Sequence, residues 1–213
     1  MPLVDLAFSL RRAAIPVDHG YSLYSAISRL VLGIHGDDQI GIHPIYGTLI
    51  GDRKLAVTQN SQLVLRLPVD RIPDVVVLAG KTLDVAGHSL TVGVPTVRAL
   101  VPAAAVSSRL VVIKGFMEPE PFLDAVRRQL VELDIRGEPF LVSTGDAVNV
   151  NETRDGGTQS SWIRRTLRIR DKEVVGFAVG VEQLTADESI RLQEHGVGGR
   201  RRFGCGIFVP VEG

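Results

Sequence analysis

Proton transfer near neutral pH calls on histidine before other side chains, because its ordinary pKa lies close to neutrality. The chain carries five histidines. His35 stands in a polar loop, followed by Gly36-Asp37-Asp38, just past a glycine that ends a helical pattern. His19 neighbours Asp18 where the same pattern begins. His43 precedes Pro44 in a strand-like run and reads as a packed residue, while His88 sits in a turn. His195 closes a later helix, where the dipole favours a cation. The other chemical feature is the run Gly196-Val197-Gly198-Gly199-Arg200-Arg201-Arg202-Phe203-Gly204-Cys205-Gly206. Five glycines and three arginines share its eleven positions. Glycine admits positive φ and lets a ligand's backbone come close. Successive exposed N–H groups form an anion-binding concavity, and arginine offers a fork that fits phosphate oxygens. The run reads as a cradle for a polyanionic backbone.

These residues need elements to hold them. Leu3 to Leu10 predicts a strand, ended by Arg11-Arg12 and Pro16. Asp18 is placed to cap a helix in which Leu23, Ala26, Ile27, Leu30 and Val31 recur at helical spacing, with Gly33 as its stop. Ile40 to His43 and Leu63 to Leu67 predict strands. Asp70 to Leu78 stays open: its valines favour a strand, and Pro68 and Pro73 favour a short helix. Leu83 to Val85 and Leu90 to Val92 predict short strands about Gly87-His88. A second unit begins near Arg109 with a strand from Leu110 to Ile113. Pro121 suits the first turn of a helix striped by Phe122, Leu123, Val126, Leu130 and Leu133. A polar loop follows from Ser143 to Ser161, then a hairpin of 166–170 and 174–181 around Asp171-Lys172. Thr185-x-x-Glu188 is a capping box that opens a last helix, before the glycine run and an apolar strand from Ile207 to Pro210. Each half reads as strand–helix–strand–strand–helix–strand, with the second helix of the first half weakly marked. The expectation is an α+β chain of tandem ferredoxin-like (RRM-like) βαββαβ domains: residues 1–108, carrying the candidate histidines, and 109–213, carrying an arginine hairpin and the glycine run.

Composition narrows the function classes. With 213 residues, 45% of them hydrophobic, the chain can bury one large core or two small ones and is no disordered tail. Lys and Arg number 24, as do Asp and Glu, so total charge says nothing about nucleic acid. Its distribution does. Trp162 to Lys172 holds five basic residues against one acid, and Arg200 to Arg202 holds no acid. Affinity for a polyanion follows the phosphates contacted rather than net charge. Strand alternation puts Arg164, Thr166, Arg168 and Arg170 on one face, with Trp162 at its start either stacking on a base or anchoring the hairpin. Cys205 is the single cysteine, which excludes an intramolecular disulfide and leaves a cysteine-based zinc site without ligands. Asp37 and Asp38 lack a converging third ligand, so no metal site and no cofactor are expected. No run reaches the roughly 18 apolar residues of a membrane span. A cytoplasmic protein without a membrane partner is expected.

The glycine run followed by Ile207-Phe208-Val209-Pro210 resembles the C-terminal signature of the CRISPR-associated RAMP proteins. Pro16-Val17-Asp18-His19-Gly20-Tyr21-Ser22-Leu23-Tyr24-Ser25-Ala26-Ile27 resembles the first strand-to-helix segment of their repeat-processing endoribonuclease branch, in a compact subtype. Ile34-His35 fits the hydrophobic-His pair found after that helix. The spacing of these features spans the chain. The resemblance implies two ferredoxin-like domains that hold CRISPR repeat RNA (pre-crRNA) and cut it into guide units. In that reaction, which needs no metal, the ribose 2′-hydroxyl attacks the neighbouring phosphorus, and a 2′,3′-cyclic phosphate is left. In-line positioning is much of the catalysis, and an acid for the leaving 5′-oxygen adds about 10²–10⁴-fold.

The resemblance implies His35 as that acid, with His19 as the second candidate, and a tyrosine on the opening helix near the scissile phosphate, for which Tyr24 and Tyr21 are placed, partial packing being the other reading of both. Ser22, Ser25 and Ser28 line the same polar side and either bond phosphate or face water. The lysine common in the wider family has no matching motif: Lys54 and Lys114 are available, and Arg29 is a substitute cation. The implied RNA contacts are Arg29, Trp162, Arg164, Arg168, Arg170, Gly196, Gly198, Gly199, Arg200, Arg201, Arg202, Gly204 and Gly206. Other CRISPR effector subunits are implied partners in turn. The rival reading is a non-catalytic RAMP subunit that binds guide RNA in an effector complex; it shares the glycine run and fold but needs no histidine beside the first helix.

Overall fold

Alternating burial along Leu3–Leu10 (β1) drives Leu6 and Phe8 into a core and makes this the central strand of the first unit. The computed structural model describes residues 1–143 and 162–211, so the loop expected from Ser143 to Ser161 lies outside the described residues beyond its first position. The chain divides into two compact units, Met1–Leu100 with Arg201–Gly204, and Val101–Arg200 with Cys205–Gly213.

The first unit continues with β2 (Ala13–Pro16), α1 (Gly20–Ser28), β3 (Gly41–Ile42), β4 (Thr48–Leu49), β5 (Lys54–Val57), β6 (Gln62–Pro68), α2 (Ile72–Val75, flanked by single 3-10 turns), β7 (Thr82–Val85) and β8 (His88–Ala99). Its main sheet runs β3-β6-β1-β8-β7 with antiparallel neighbours. The path β1-α1-β3-β6-α2-β8 is a βαββαβ unit, and β7 is a hairpin arm added to β8. Leu6, Phe8, Ile27, Leu63, Leu65 and Leu90 fill the core. A separate three-stranded sheet, β2-β5-β4, holds the chain that leads into α1. In the second unit, β9 (Val106–Val111), α3 (Pro119–Glu132), β10 (Glu138–Leu141), β11 (Arg164–Ile169), β12 (Lys172–Glu182), α4 (Ala186–His195) and β13 (Val209–Pro210) repeat the scheme. The order there is β10-β12-β9-β13, with β11 paired to β12. The α+β tandem ferredoxin-like fold is therefore present in both halves. The break expected at 108/109 falls inside β9, whose Val106 and Val111 are both buried in the second core; the units part at Leu100/Val101 instead.

Several local expectations need correcting. α1 ends at Ser28 rather than reaching Val31: Leu30 N and Val31 N both return to Ile27 O, and Gly33 (φ +76) turns the chain afterwards. Its N-cap is His19, which makes no capping bond, rather than Asp18. Asp70 to Leu78 is helical, with Pro73 in a first turn that needs no N–H from it. β8 runs on to Ala99 because β1 offers it a pairing edge, through a register shift between Phe8 and Leu10. The β11–β12 turn is Arg170-Asp171, since Ile169 pairs with Lys172 and Arg170 takes positive φ. The capping box at Thr185 and Glu188 forms in both directions. Among the described residues no helix is long and apolar enough to cross a membrane.

Candidate functional site

α1 turns Leu23, Ala26 and Ile27 into the core. Tyr24, one position round the helix, is buried too, yet its hydroxyl lies 2.7 Å from His35 Nδ1. His35 is exposed on a loop pinned by the buried Ile34 and Ile40. The two rings meet edge to face, with centroids 5.5 Å apart. Whichever atom carries the shared proton, the bond commits Nδ1 and leaves Nε2 to exchange a proton with a ligand. The loop is tied further by Asp37, which accepts from Gln39 N (3.0 Å) and pairs with Arg71, itself bonded to Asp74 at 2.8 Å.

The 3-10 turn Arg201–Phe203 belongs to the same unit and packs on this pair. The Phe203 ring stands edge-on to Tyr24 at 5.1 Å and tilted to Tyr21 at 5.8 Å. The Arg202 guanidinium carbon lies 5.7 Å from the Tyr24 ring centre and 6.0 Å from that of Phe203, and its Nη2 is 3.8 Å from Asp38 Oδ1. An imidazole, two phenols and a guanidinium therefore converge, and this set can move a proton beside a fixed positive charge.

Arg201 turns the other way, toward a buried ion cluster. Asp5 and Arg66 are cross-strand partners joined by two 2.8 Å bonds, and Arg66 is only 1% exposed. His43 Nε2 stands 3.5 Å from Asp5 Oδ1. Burial pushes the Asp5 carboxyl up, but hydrogen bonds and charge from Arg66 and His43 outweigh it and hold the group well below the usual carboxylate range. Burial lowers the His43 pKa against the pull of Asp5. Arg201 is pushed down to about 10 by burial and by the charge of Arg66.

The glycine run is built differently from an open anion nest. Gly196 N donates to Leu192 O (2.8 Å), Gly198 N to Gln129 Oε1 (2.7 Å), Gly199 N to Val112 O (3.0 Å), Gly204 N to Arg201 O (3.1 Å) and Gly206 N to Leu110 O (2.8 Å). A Cβ on Gly198 would come within 2.5 Å of Val112 O, and one on Gly206 within 2.3 Å of Val197 O, both at positive φ. Gly198 and Gly206 are required by close backbone packing, and the N–H groups of all five glycines are spent inside the protein.

A family model described as Cas6 Crispr matches residues 4–213. The chain belongs to the Cas6 family. It is 34% identical over 210 residues to the CRISPR-associated endonuclease Cas6 of Myxococcus xanthus (strain DK1622), covering 99% of this chain and 82% of that one. Among solved structures, the product of a Cas6-related gene from Pyrococcus furiosus superposes with a TM-score of 0.71 at 14% identity over 99% of both chains. A RAMP protein described as binding different RNA substrates does so with a TM-score of 0.67 at 14% identity over the whole of both chains. At that identity the two structures speak for the fold.

Within this Cas6 chain, the structure brings together His35, Tyr24, Tyr21 and Arg202 from the expected set. It sets His19 apart. That side chain is 2% exposed, its Nδ1 donating to Pro16 O and its Nε2 accepting from Ile45 N, each at 2.9 Å, so it braces two loops with both ring nitrogens engaged. The hydroxyls of Ser22 and Ser28 donate back to His19 O and Ser25 O, which engages the one proton each carries. Arg29 is exposed at the C-cap of α1, and Arg200 is exposed at a positive φ. On β11, Arg164, Thr166 and Arg168 are exposed together, Arg170 lies on the turn, and Arg165 reaches Arg109 O. Trp162 is partly exposed and bridges to Ser143. Phe203 and Arg71 carry parts of the site that sequence reasoning does not single out, and Asp38, weighed there only as a metal ligand, lies instead beside Arg202. An aromatic residue inside a glycine–arginine run is the available signal for the first of them.

Proposed function

We propose that this Cas6 chain cuts CRISPR repeat RNA into guide units by acid–base transesterification, with His35 as the proton donor to the leaving 5′-oxygen. The observation that carries the residue assignment is the Tyr24–His35 hydrogen bond at an exposed imidazole, beside the Arg202 guanidinium. A ribose 2′-hydroxyl held in line with the scissile bond gives its proton to water and attacks phosphorus, and a 2′,3′-cyclic phosphate forms as the P–O5′ bond breaks and the 5′-oxygen takes the proton from Nε2. Arg202 stabilises the charge that grows on the phosphoryl oxygens, a part for which the sequence offers no lysine motif and suggests Arg29 instead. The exposed arginine face of β11 and Arg200 supply phosphate contacts that hold the strand without reading it. Repeat specificity comes from RNA shape and single-stranded flanks, because an A-form helix hides its base edges. A subunit that only binds guide RNA has no use for an imidazole held in this way.

The test is single-turnover cleavage of repeat RNA in excess chelator, with binding measured separately. His35→Ala is expected to lose about 10²–10⁴-fold in rate with binding kept, and Arg202→Ala to lose more in rate than in affinity. Cleavage at the parental rate by His35→Ala refutes the assignment.

A further inference from the structure

We propose that Phe203, in the glycine-rich run, is a positioning residue for the His35 proton donor, acting through Tyr24. The proposal rests on His35 being that donor. The Tyr24 ring has two aromatic neighbours: His35, edge to face at 5.5 Å, and Phe203, edge to face at 5.1 Å. Phe203 also touches Tyr21, one helical turn earlier on α1, at 5.8 Å. A phenol can hold an imidazole nitrogen at 2.7 Å only while its own ring orientation is fixed. Phe203 blocks the swing of Tyr24 away from His35, and Arg202 lies over both rings. Phe203 is only partly buried, at the margin of the first core, so filling that core is a small part of its work. The turn that bears it is rigid at its end, where Gly204 N closes onto Arg201 O at 3.1 Å. A run whose composition reads as a grip for a polyanion thus contributes a side chain that decides which nitrogen of His35 is free.

The obvious alternative for a partly exposed phenylalanine beside RNA is a stacking platform for a base. The two roles separate kinetically. Stacking acts on affinity. Positioning acts on the rate at saturating RNA and on the imidazole itself.

The experiment uses the full chain and four variants, Phe203→Leu, Phe203→Tyr, Tyr24→Phe and the double Phe203→Leu/Tyr24→Phe. Single-turnover cleavage at saturating repeat RNA is measured across pH, RNA affinity is measured separately, and the His35 ring nitrogens are read by NMR. Misplacing a reacting group by about 1 Å costs on the order of 10²-fold, so Phe203→Leu is expected to slow cleavage by about 10- to 100-fold with affinity unchanged. Neutral His35 shifts from one tautomer to a mixture. Phe203→Tyr, which keeps the ring, restores the parental rate and tautomer. The double variant is no slower than Tyr24→Phe alone, because Phe203 acts through Tyr24. Unchanged rate and tautomer in Phe203→Leu, additive losses in the double variant, or a loss confined to affinity would each overturn the proposal. Full activity in His35→Ala overturns instead the reading on which it rests.

Discussion

Replacing Asp5 with asparagine tests how the buried ions support the site. Asp5 meets Arg66 through two 2.8 Å bonds, and Arg66 is 1% exposed, so its charge has no access to water when the carboxylate goes. Removing one partner of a buried pair costs about 3–5 kcal/mol, most of it the stranded charge. The Asp5 side chain is 18% exposed, and asparagine keeps one oxygen that can still accept from Arg66, so the expected loss falls at or just below the lower end of that range, about 2–3 kcal/mol. The mirror experiment, Arg66→Met, strands a carboxylate that solvent can reach and is expected to cost less. Asp5→Leu combined with Arg66→Met removes both charges of the pair, leaving Arg201 as a remaining cation of the cluster, and is expected to lie closer to the parent than Asp5→Asn alone. Urea unfolding followed by far-UV circular dichroism reads the midpoint shift at constant slope. Hydrogen exchange in β1 and β6 localises it. Equal losses in Asp5→Asn and Arg66→Met, or a loss under about 1 kcal/mol in the first, would refute the reasoning from burial.

The sign of the pH dependence follows from the same cluster. The native Asp5 pKa lies below its unfolded value, so its contribution is complete above the ordinary carboxylate pKa of about 3.9 and fades as pH falls through the native value. The native His43 pKa is lowered as well. The unfolded chain therefore binds the proton first, and stability declines as pH falls below about 6.5. Two acid limbs are expected, and His43→Gln should flatten the upper one while the lower one stays.

Two further outcomes bear on the site residues. Arg164→Ala with Arg168→Ala removes exposed cations of β11 and should weaken RNA binding without changing the cut position; the log affinity–log salt slope falls by roughly 1 for each phosphate no longer neutralised. His19→Ala leaves the Ile45 N–H without its 2.9 Å acceptor and should cost about 1–3 kcal/mol in urea unfolding, with the cleavage rate of folded protein kept; a stable but inactive variant would return His19 to the chemistry.

Much of the architecture was legible because it rests on local pattern. The stripe of α1, the capping box at Thr185 and the alternation of β11 each follow from neighbours within one element. The ends of elements were less so. β8 extends to Ala99 only because β1 pairs with it, and nothing in the five residues after Val94 announces a partner some ninety positions earlier in the chain. The β2-β5-β4 sheet is hidden for the same reason: its strands are short, and their hydrogen-bonded partners are one another. At the site, His35 and Tyr24 were visible as types at a spacing, but their 2.7 Å bond depends on how the chain turns after Ser28. The spacing of His19 could not show that both its ring nitrogens face the protein.

The three consecutive arginines show why a charge count misreads a loop. Arg200 takes a positive φ and is exposed, a position from which it can meet a phosphate. Arg201 enters the field of Arg66 and Asp5, where desolvation lowers its pKa to about 10. Arg202 lies over Tyr24, its guanidinium carbon 5.7 Å from the ring centre. One 3-10 turn separates successive side chains by a third of a revolution, so adjacent positions must face different surroundings. The glycines on either side cannot supply the missing anion contacts, since Gly196, Gly198, Gly199, Gly204 and Gly206 have given their N–H groups to protein acceptors. Under the proposed function, phosphate contacts from this run would therefore come from Arg200 and Arg202 rather than from these glycine N–H groups.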